Sequence, residues 1–277
     1  YRVMVPVANP RTDGRIVELA GALASGHEDG VVHIVHAVQA PRRMAVETRD
    51  NERIEDTSAR QLADLREAAE AFGVRVETTT VVSHWSFEEV FDMARRTRPE
   101  TVVMGWGDDH LWSAARAERP VAELTNQLPC DFLVLNDREL DTARILLPTA
   151  GGPDSALGAD VARSLARTAG ATVELLHVVD DPTERAAGER FLAEWAAENG
   201  LADAEFTVDD GGDVEAAIER EAVDNTLIVI GATERGLISR LVADSLHLDV
   251  VSTVDCSVLL AERPHHRTIR ERLFGRG

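Results

Sequence analysis

The chain carries one ordered set of segments twice. VMVPVANP (Val3–Pro10) returns as ILLPTAGG (Ile145–Gly152), and VVHIVHAV (Val31–Val38) as TVELLHVV (Thr172–Val179). VVMGWG (Val102–Gly107) returns as IVIGATERG (Ile228–Gly236), and PCDFLVL (Pro129–Leu135) as DCSVLLA (Asp255–Ala261). Four matches in the same order indicate a duplicated domain, and the period is far too long for a solenoid. Two globular units therefore share the 277 residues, and each is long enough to bury its own core.

Within each half, short β-branched runs alternate with amphipathic stretches, the pattern of βαβ units around a parallel sheet. The first half predicts strands near Arg2–Ala8, Val31–Val38, Val74–Val82, Thr101–Gly105 and Asp131–Leu135, with helices over Asp13–Ser25, Ser58–Phe72 and Ser86–Arg98. Ser86 and Glu89 have the spacing of a capping box. The second half predicts strands near Arg144–Thr149, Thr172–Val179, Glu205–Val208, Thr226–Gly231 and Cys256–Leu260. Its helices fall near Asp154–Thr168, Thr183–Asn199, Asp213–Val223 and Ser239–Thr253. Strand runs such as LIVI (Leu227–Ile230) are apolar on both faces, as strands covered by helices above and below should be. The expected fold class is α/β: two tandem, doubly wound, five-stranded parallel-sheet domains packed as an internal pseudo-dimer. The expected boundaries are 1–138, 139–262 and a basic tail over 263–277. Pro6 and Pro148 lie 142 residues apart but Gly105 and Gly231 only 126. The first half therefore holds an insertion, assigned to Pro41–Ser58.

Charge narrows the functional classes. The net charge is −20, and all 29 basic residues are arginine. An acidic surface with arginine in place of lysine fits a high-salt cytoplasm, where concentrated ions screen the repulsion among carboxylates. Nucleic acid is excluded as a partner, because its phosphates would meet that same repulsion. Cys130 and Cys256 hold equivalent repeat positions before apolar strands and read as small buried hydrophobes in a reducing compartment. No apolar run approaches the roughly 18 residues needed to span a bilayer.

A doubly wound sheet offers a ligand site at the carboxyl ends of its strands. There the sequence holds Gly231-Ala-Thr-Glu-Arg-Gly236 leading to Ala243-Asp244-Ser245. A glycine turn between a buried strand and a helix can present backbone N–H groups to a phosphate. With the repeat and the strand order, this turn resembles the universal stress protein family, and the resemblance covers essentially the whole chain as two copies. It implies a nucleotide-binding, α-hydrolase-like fold. One branch of that family binds ATP through a Gly-x2-Gly-x9-Gly-Ser/Thr loop and an aspartate after the first strand.

In the second copy Gly231 and Ser245 keep that pattern, while Glu234 and Asp244 replace its later glycines. Ala150 and Ala8 stand where the aspartate would be, and Arg119-Pro120 replaces the Gly-Ser of the first copy. Two carboxylates facing phosphates oppose binding, so the turn reads first as a structural strand–helix connection. The residues left to hold a nucleotide, ATP or AMP by the resemblance, are Thr149, Gly151, Gly231, Gly236 and Ser245. No cofactor is certain.

Gly151-Gly-Pro-Asp-Ser155 looks like the pyrophosphatase loop of ATP-dependent ligases, with Ala150 in place of its leading serine. Pro153 at a first helical turn, with Asp154 or Ser155 as a cap, explains the same residues without catalysis. His36 and His177 match between copies and read as hydrogen-bonded core residues. His265-His266 lacks further metal ligands. Trp85, Trp106, Trp112 and Trp195 read as packing residues, with Trp106 and Trp112 as alternative fillers of the first cleft.

No catalytic residue or metal site is expected, and the chain reads as a non-enzymatic regulatory or sensing module. Its acidic tandem pair, opening on a Val-Pro-Val-Ala-Asn-Pro strand, is similar to the cytoplasmic tails of haloarchaeal amino acid permeases of the amino acid–polyamine–organocation type. The start at Tyr1 agrees with a cut after a membrane domain. This resemblance implies a transporter domain as partner, self-association and a cytoplasmic location at the membrane's inner face, while members of the universal stress protein family commonly pair through their last strands, here those of Cys130 and Cys256. The alternatives are a free-standing ATP- or AMP-binding stress protein and, behind it, a pyrophosphatase-loop enzyme.

Overall fold

The computed structural model describes residues 1–10, 13–39, 60, 62–83, 87–106, 128–231 and 253–264. The first half runs β1 (Arg2–Val7), α1 (Gly14–Ser25), β2 (Val31–Gln39), α2 (Ala63–Glu70), β3 (Arg75–Ser83), α3 (Phe87–Thr97), β4 (Thr101–Trp106) and β5 (Asp131–Asn136). The second runs β6 (Arg144–Pro148), α4 (Pro153–Ala169), β7 (Thr172–Val178), α5 (Arg185–Glu198), β8 (Glu205–Asp209), α6 (Val214–Glu221), β9 (Leu227–Gly231) and β10 (Ser257–Glu262). Short 3-10 turns, Pro182–Glu184 and Ala222–Asp224, precede α5 and follow α6.

Every strand predicted from the sequence is present. Helix α2 is described only from Ala63, against an expected start at Ser58. The expected helix Ser239–Thr253 (save Thr253), the insertion Pro41–Ser58, the Ser86 end of the capping box, and Trp85, Trp112 and His265-His266 lie outside the described residues.

All ten strands form one sheet in the order β3-β2-β1-β4-β5-β10-β9-β6-β7-β8. Within each half the neighbours are parallel, and the order reverses direction beside β1 and β6. The halves meet where β5 and β10 pair antiparallel, with Leu135 opposite Leu259 and Val134 opposite Leu260. The last strands thus join the two copies within a single chain, around a pseudo-two-fold axis.

Period-two alternation decides which face each strand residue covers. Val3, Val5, Ile145, Leu147 and Leu259 pack under α1, α2, α4 and α5 in a core continuous through both halves. Met4, Val102, Phe132, Leu146, Ile228 and Leu260 face the opposite side, against α3 and α6. Phe91 of α3 stacks on Phe132 of β5, with ring centroids 4.9 Å apart. Each fully buried side chain of this size contributes roughly 1.5–3 kcal/mol.

Helix ends follow their sequence signals. Pro153 opens α4, and Gly170 closes it in the left-handed region at φ +71°, a conformation that favours glycine. Asp213 caps α6 by accepting from the Ala216 amide at 3.1 Å. Helices α1 and α4 meet across the junction, where Arg167 donates to the Gly26 carbonyl at 3.2 Å and Ser164 to the Leu23 carbonyl at 3.4 Å.

Candidate functional site

The carboxyl ends of β6, β7 and β9 carry the described candidate residues of the second half. The Thr149 amide donates to the Leu176 carbonyl at 2.8 Å, extending the β6–β7 ladder by one residue. The Thr149 hydroxyl then turns inward and accepts the Gly151 amide at 3.1 Å. Gly151 and Gly152 carry φ of +83° and +90°, so the chain reverses through a conformation that a side chain disfavours. His177 donates from Nδ1 to the Thr149 carbonyl at 2.8 Å, which fixes its tautomer. Its ring lies 4.5 Å from that of Phe191, on α5.

Gly231 ends β9 against the first turn of α4. A Cβ there would stand 2.6 Å from the Ser155 nitrogen and 2.7 Å from the Asp154 carbonyl carbon. These are backbone atoms that cannot yield, so close helix–strand approach accounts for this glycine. The structure therefore brings together Thr149, Gly151 and Gly231. Gly236 and Ser245, with the substituted Glu234 and Asp244, lie outside the described residues. Asp154, which the pyrophosphatase-loop pattern would use, is buried and accepts the Arg263 amide at 2.7 Å.

The first half solves the same turn differently. Asp13 precedes α1 and is only 3% exposed. Its Oδ2 accepts from the amides of both Ala8 and Asn9, each at 3.2 Å, in place of capping the helix. The sequence showed alanine where an aspartate was expected, but the chain brings a carboxylate back to that strand end from five residues on. At the start of a helix such an aspartate reads as a cap, which is why it was missed; its signal was an Asn-Pro turn before it.

His36, at the end of β2, is buried beside Asp13. Burial holds its imidazole below the usual histidine range, and the Asp13 charge opposes that shift. Trp106 is half-buried and packs on the α3 side, and Trp195 is buried in α5.

Both cysteines are free thiols. Burial pushes the Cys130 thiol up to about 12, which leaves it protonated and inert. Among the described residues no group of three or more His, Cys, Asp or Glu side chains could hold a metal ion. No described helix is long and apolar enough to cross a membrane.

Three backbone donors of these turns are thus engaged internally: the Ala8 and Asn9 amides by a carboxylate in one copy, and the Gly151 amide by a hydroxyl in the other. What the described residues offer chemically at these strand ends is a set of paired polar groups.

Known structures share this architecture over nearly the full chain. A universal stress protein from Archaeoglobus fulgidus superposes with a TM-score of 0.62 at 14% identity, covering 95% of this chain and 96% of its own. A putative universal stress protein from Pseudomonas aeruginosa gives 0.61 at 19%, covering 95% and 93%. The cytoplasmic domain of a prokaryotic cation chloride cotransporter gives 0.64 at 12%, covering 98% and 99%. At these identities the likeness is one of fold. No curated protein matches the sequence. The family model for universal stress proteins matches residues 1–136 and again 142–262, and the chain belongs to the universal stress protein family as a tandem pair.

Proposed function

We propose that this chain is a non-enzymatic regulatory or sensing module, the cytoplasmic part of an amino acid transporter, held at the inner face of the membrane. Its units are residues 1–138 and 139–262, with 263–277 as a basic tail. The observation that carries this reading is the self-occupied strand ends. Asp13 takes the loop amides of the first copy, and Thr149 takes the Gly151 amide of the second. An amide that is already paired, as those of Ala8, Asn9 and Gly151 are, gains little from a phosphate, since binding would exchange one hydrogen bond for another.

The full-length fold likeness to a cotransporter's cytoplasmic domain supports the setting, and the arginine-for-lysine acidic composition supports a high-salt cytoplasm. Regulation would act by ligand binding or self-association favouring one transporter state, which requires different affinity for the two states.

A second reading, a module that binds ATP or AMP, is favoured by the convergence of Thr149, Gly151 and Gly231 at one strand end. Calorimetric titration with each nucleotide in molar potassium chloride separates the two. The regulatory reading expects no tight uptake and no turnover. Stoichiometric heat that disappears in Thr149→Val would replace it with the nucleotide reading. The transporter assignment is tested by the coding sequence before Tyr1. About a dozen apolar spans there support it, and their absence removes it.

A further inference from the structure

A cavity of about 520 Å³ lies where β10 ends beside the start of β5. The first half contributes Tyr1, Glu100 and Asp131 to its walls, and the second contributes Asp160, Arg163 and Arg263. Arg263, the residue after β10, links three elements. Its amide donates to Asp154 Oδ1 at 2.7 Å, and its Nη2 donates to Asp160 Oδ2 at 2.5 Å, both on α4. Its Nε stands 3.6 Å from Asp131 Oδ2, at the first residue of β5. The second oxygen of Asp160 accepts Arg163 Nη2 at 2.5 Å. Burial raises the Asp131 carboxyl, and Arg263 opposes that shift. Without the guanidinium, a largely buried carboxylate at the seam would lose its compensating charge.

We propose that Arg263 is a clasp, one side chain that closes the seam between the halves and ties the segment beginning there to both of them. This deepens the reading of the chain as a regulatory module and rests on it. Pulling the segment after Arg263 away from the body would withdraw the guanidinium from Asp131 and Asp160, loosening the β5–β10 pairing. The planar fork suits arginine, which engages two carboxylates at once. The Arg263 guanidinium meets two carboxylates, one through a hydrogen bond at 2.5 Å, so more of its contact persists in molar salt, where the screening length is about 3 Å.

The test is hydrogen exchange on the full, ligand-free chain in molar potassium chloride. Arg263→Gln should speed exchange of the β5 and β10 amides about tenfold while β2 and β7 keep their protection. Arg263→Lys, which retains the charge without the fork, should recover part of that protection. It also supplies the measurement if the glutamine variant fails to fold. Combining Arg263→Gln with Asp160→Asn should accelerate the seam by less than the product of the single effects. Unchanged seam exchange, equal acceleration of every strand, or a multiplicative double variant would each overturn the clasp. Because no nucleotide or membrane partner enters this experiment, its failure leaves the regulatory reading to its own titration.

Discussion

In the first half Arg2 opens β1, donates its amide to Glu100 Oε2 at 2.7 Å and pairs its guanidinium with Glu77 at 2.6 Å. In the second, Arg144 opens β6, donates its amide to Thr226 Oγ1 at 3.0 Å and pairs with Glu205 at 3.5 Å. The duplicated device survives at the sheet's rim, although the pair is looser in the second copy.

One register step inward the copies part company. His33 sits opposite Glu77 in one half of the sheet, and Glu174 opposite Glu205 in the other. Both are buried, and each bonds the threonine two residues further along the edge strand. His33 Nε2 meets Thr79 Oγ1 at 2.9 Å, and Thr207 donates to Glu174 Oε1 at 2.7 Å. The carboxylate needed a second donor, which Asn225 supplies at 2.9 Å. Pro99 stands at Asn225's place in the first copy and supplies no side-chain donor. Each half leaves one buried atom without a hydrogen-bond partner there, His33 Nδ1 and Asn225 Oδ1. A buried position can thus change from base to acid if its hydrogen-bond partners change with it.

Removing the two groups should break this equivalence most strongly. Glu174→Ala removes the acceptor of the half-buried Thr207 hydroxyl and of one Asn225 N–H, while the Asn225 amide keeps its bond to the Glu221 carbonyl, so a loss of about 2 kcal/mol is expected. His33→Ala strands only Thr79, which reaches solvent, and should cost about 1 kcal/mol. Denaturant unfolding of both variants gives the ratio. Equal losses would mean that packing volume, and not the polar network, sets the stability of these positions.

The division into halves and the ten strands were legible because hydrophobic period and repeat carry that information directly, whereas the pairing of the last strands followed from the family resemblance and its antiparallel sense only from the structure. Runs such as Leu227–Ile230 can be satisfied only between two helical layers. Gly231 was legible as a tight turn, but not as a backbone contact with α4, since no local pattern reports which element arrives from elsewhere. Asp13 was not singled out in the sequence, for a related reason. Its spacing from α1 matches a cap, and only the path of the chain turns its carboxylate toward Ala8 and Asn9. Arg263 looked like the first charge of a basic tail, whereas its three carboxylate partners come from positions 131, 154 and 160, far away in sequence.

Next in size is an acid response that should appear first in the first half. Burial, followed by the Arg2 charge, lowers His33, and burial lowers His36. A histidine whose folded-state value is depressed contributes stability above the ordinary value near 6.5, and this is lost as pH falls from there through the folded value. Asp131 has the opposite sign, because its raised carboxyl loses stability as pH rises through its folded value. Glu77, lowered by Arg2, responds only in the carboxylate range. Between pH 7.5 and 5, protection from hydrogen exchange, taken relative to the intrinsic rate at each pH, should therefore fall in β1–β3 before β6–β8. His33→Gln should shrink that difference. Loss of protection beginning in β6–β8 would assign the acid response to some other group.

The smallest effect is expected at the paired rim bridges. The side chains of Arg2 and Glu77 are 28% and 39% exposed, and those of Arg144 and Glu205 are 42% and 59% exposed. Exposed pairs contribute about 0–1 kcal/mol and weaken with salt. Arg2→Gln should accordingly cost under about 1 kcal/mol and Arg144→Gln less, measured by thermal unfolding at low salt. Both costs should fall toward zero in molar potassium chloride, since Coulomb attraction at the rim is screened while the strand-start amide bonds to Glu100 and Thr226 persist. If Arg144→Gln proved the costlier at either salt, geometry at the rim would not be what separates the two bridges. The arginine stem packed along the sheet edge would then be the part that selection kept in both copies.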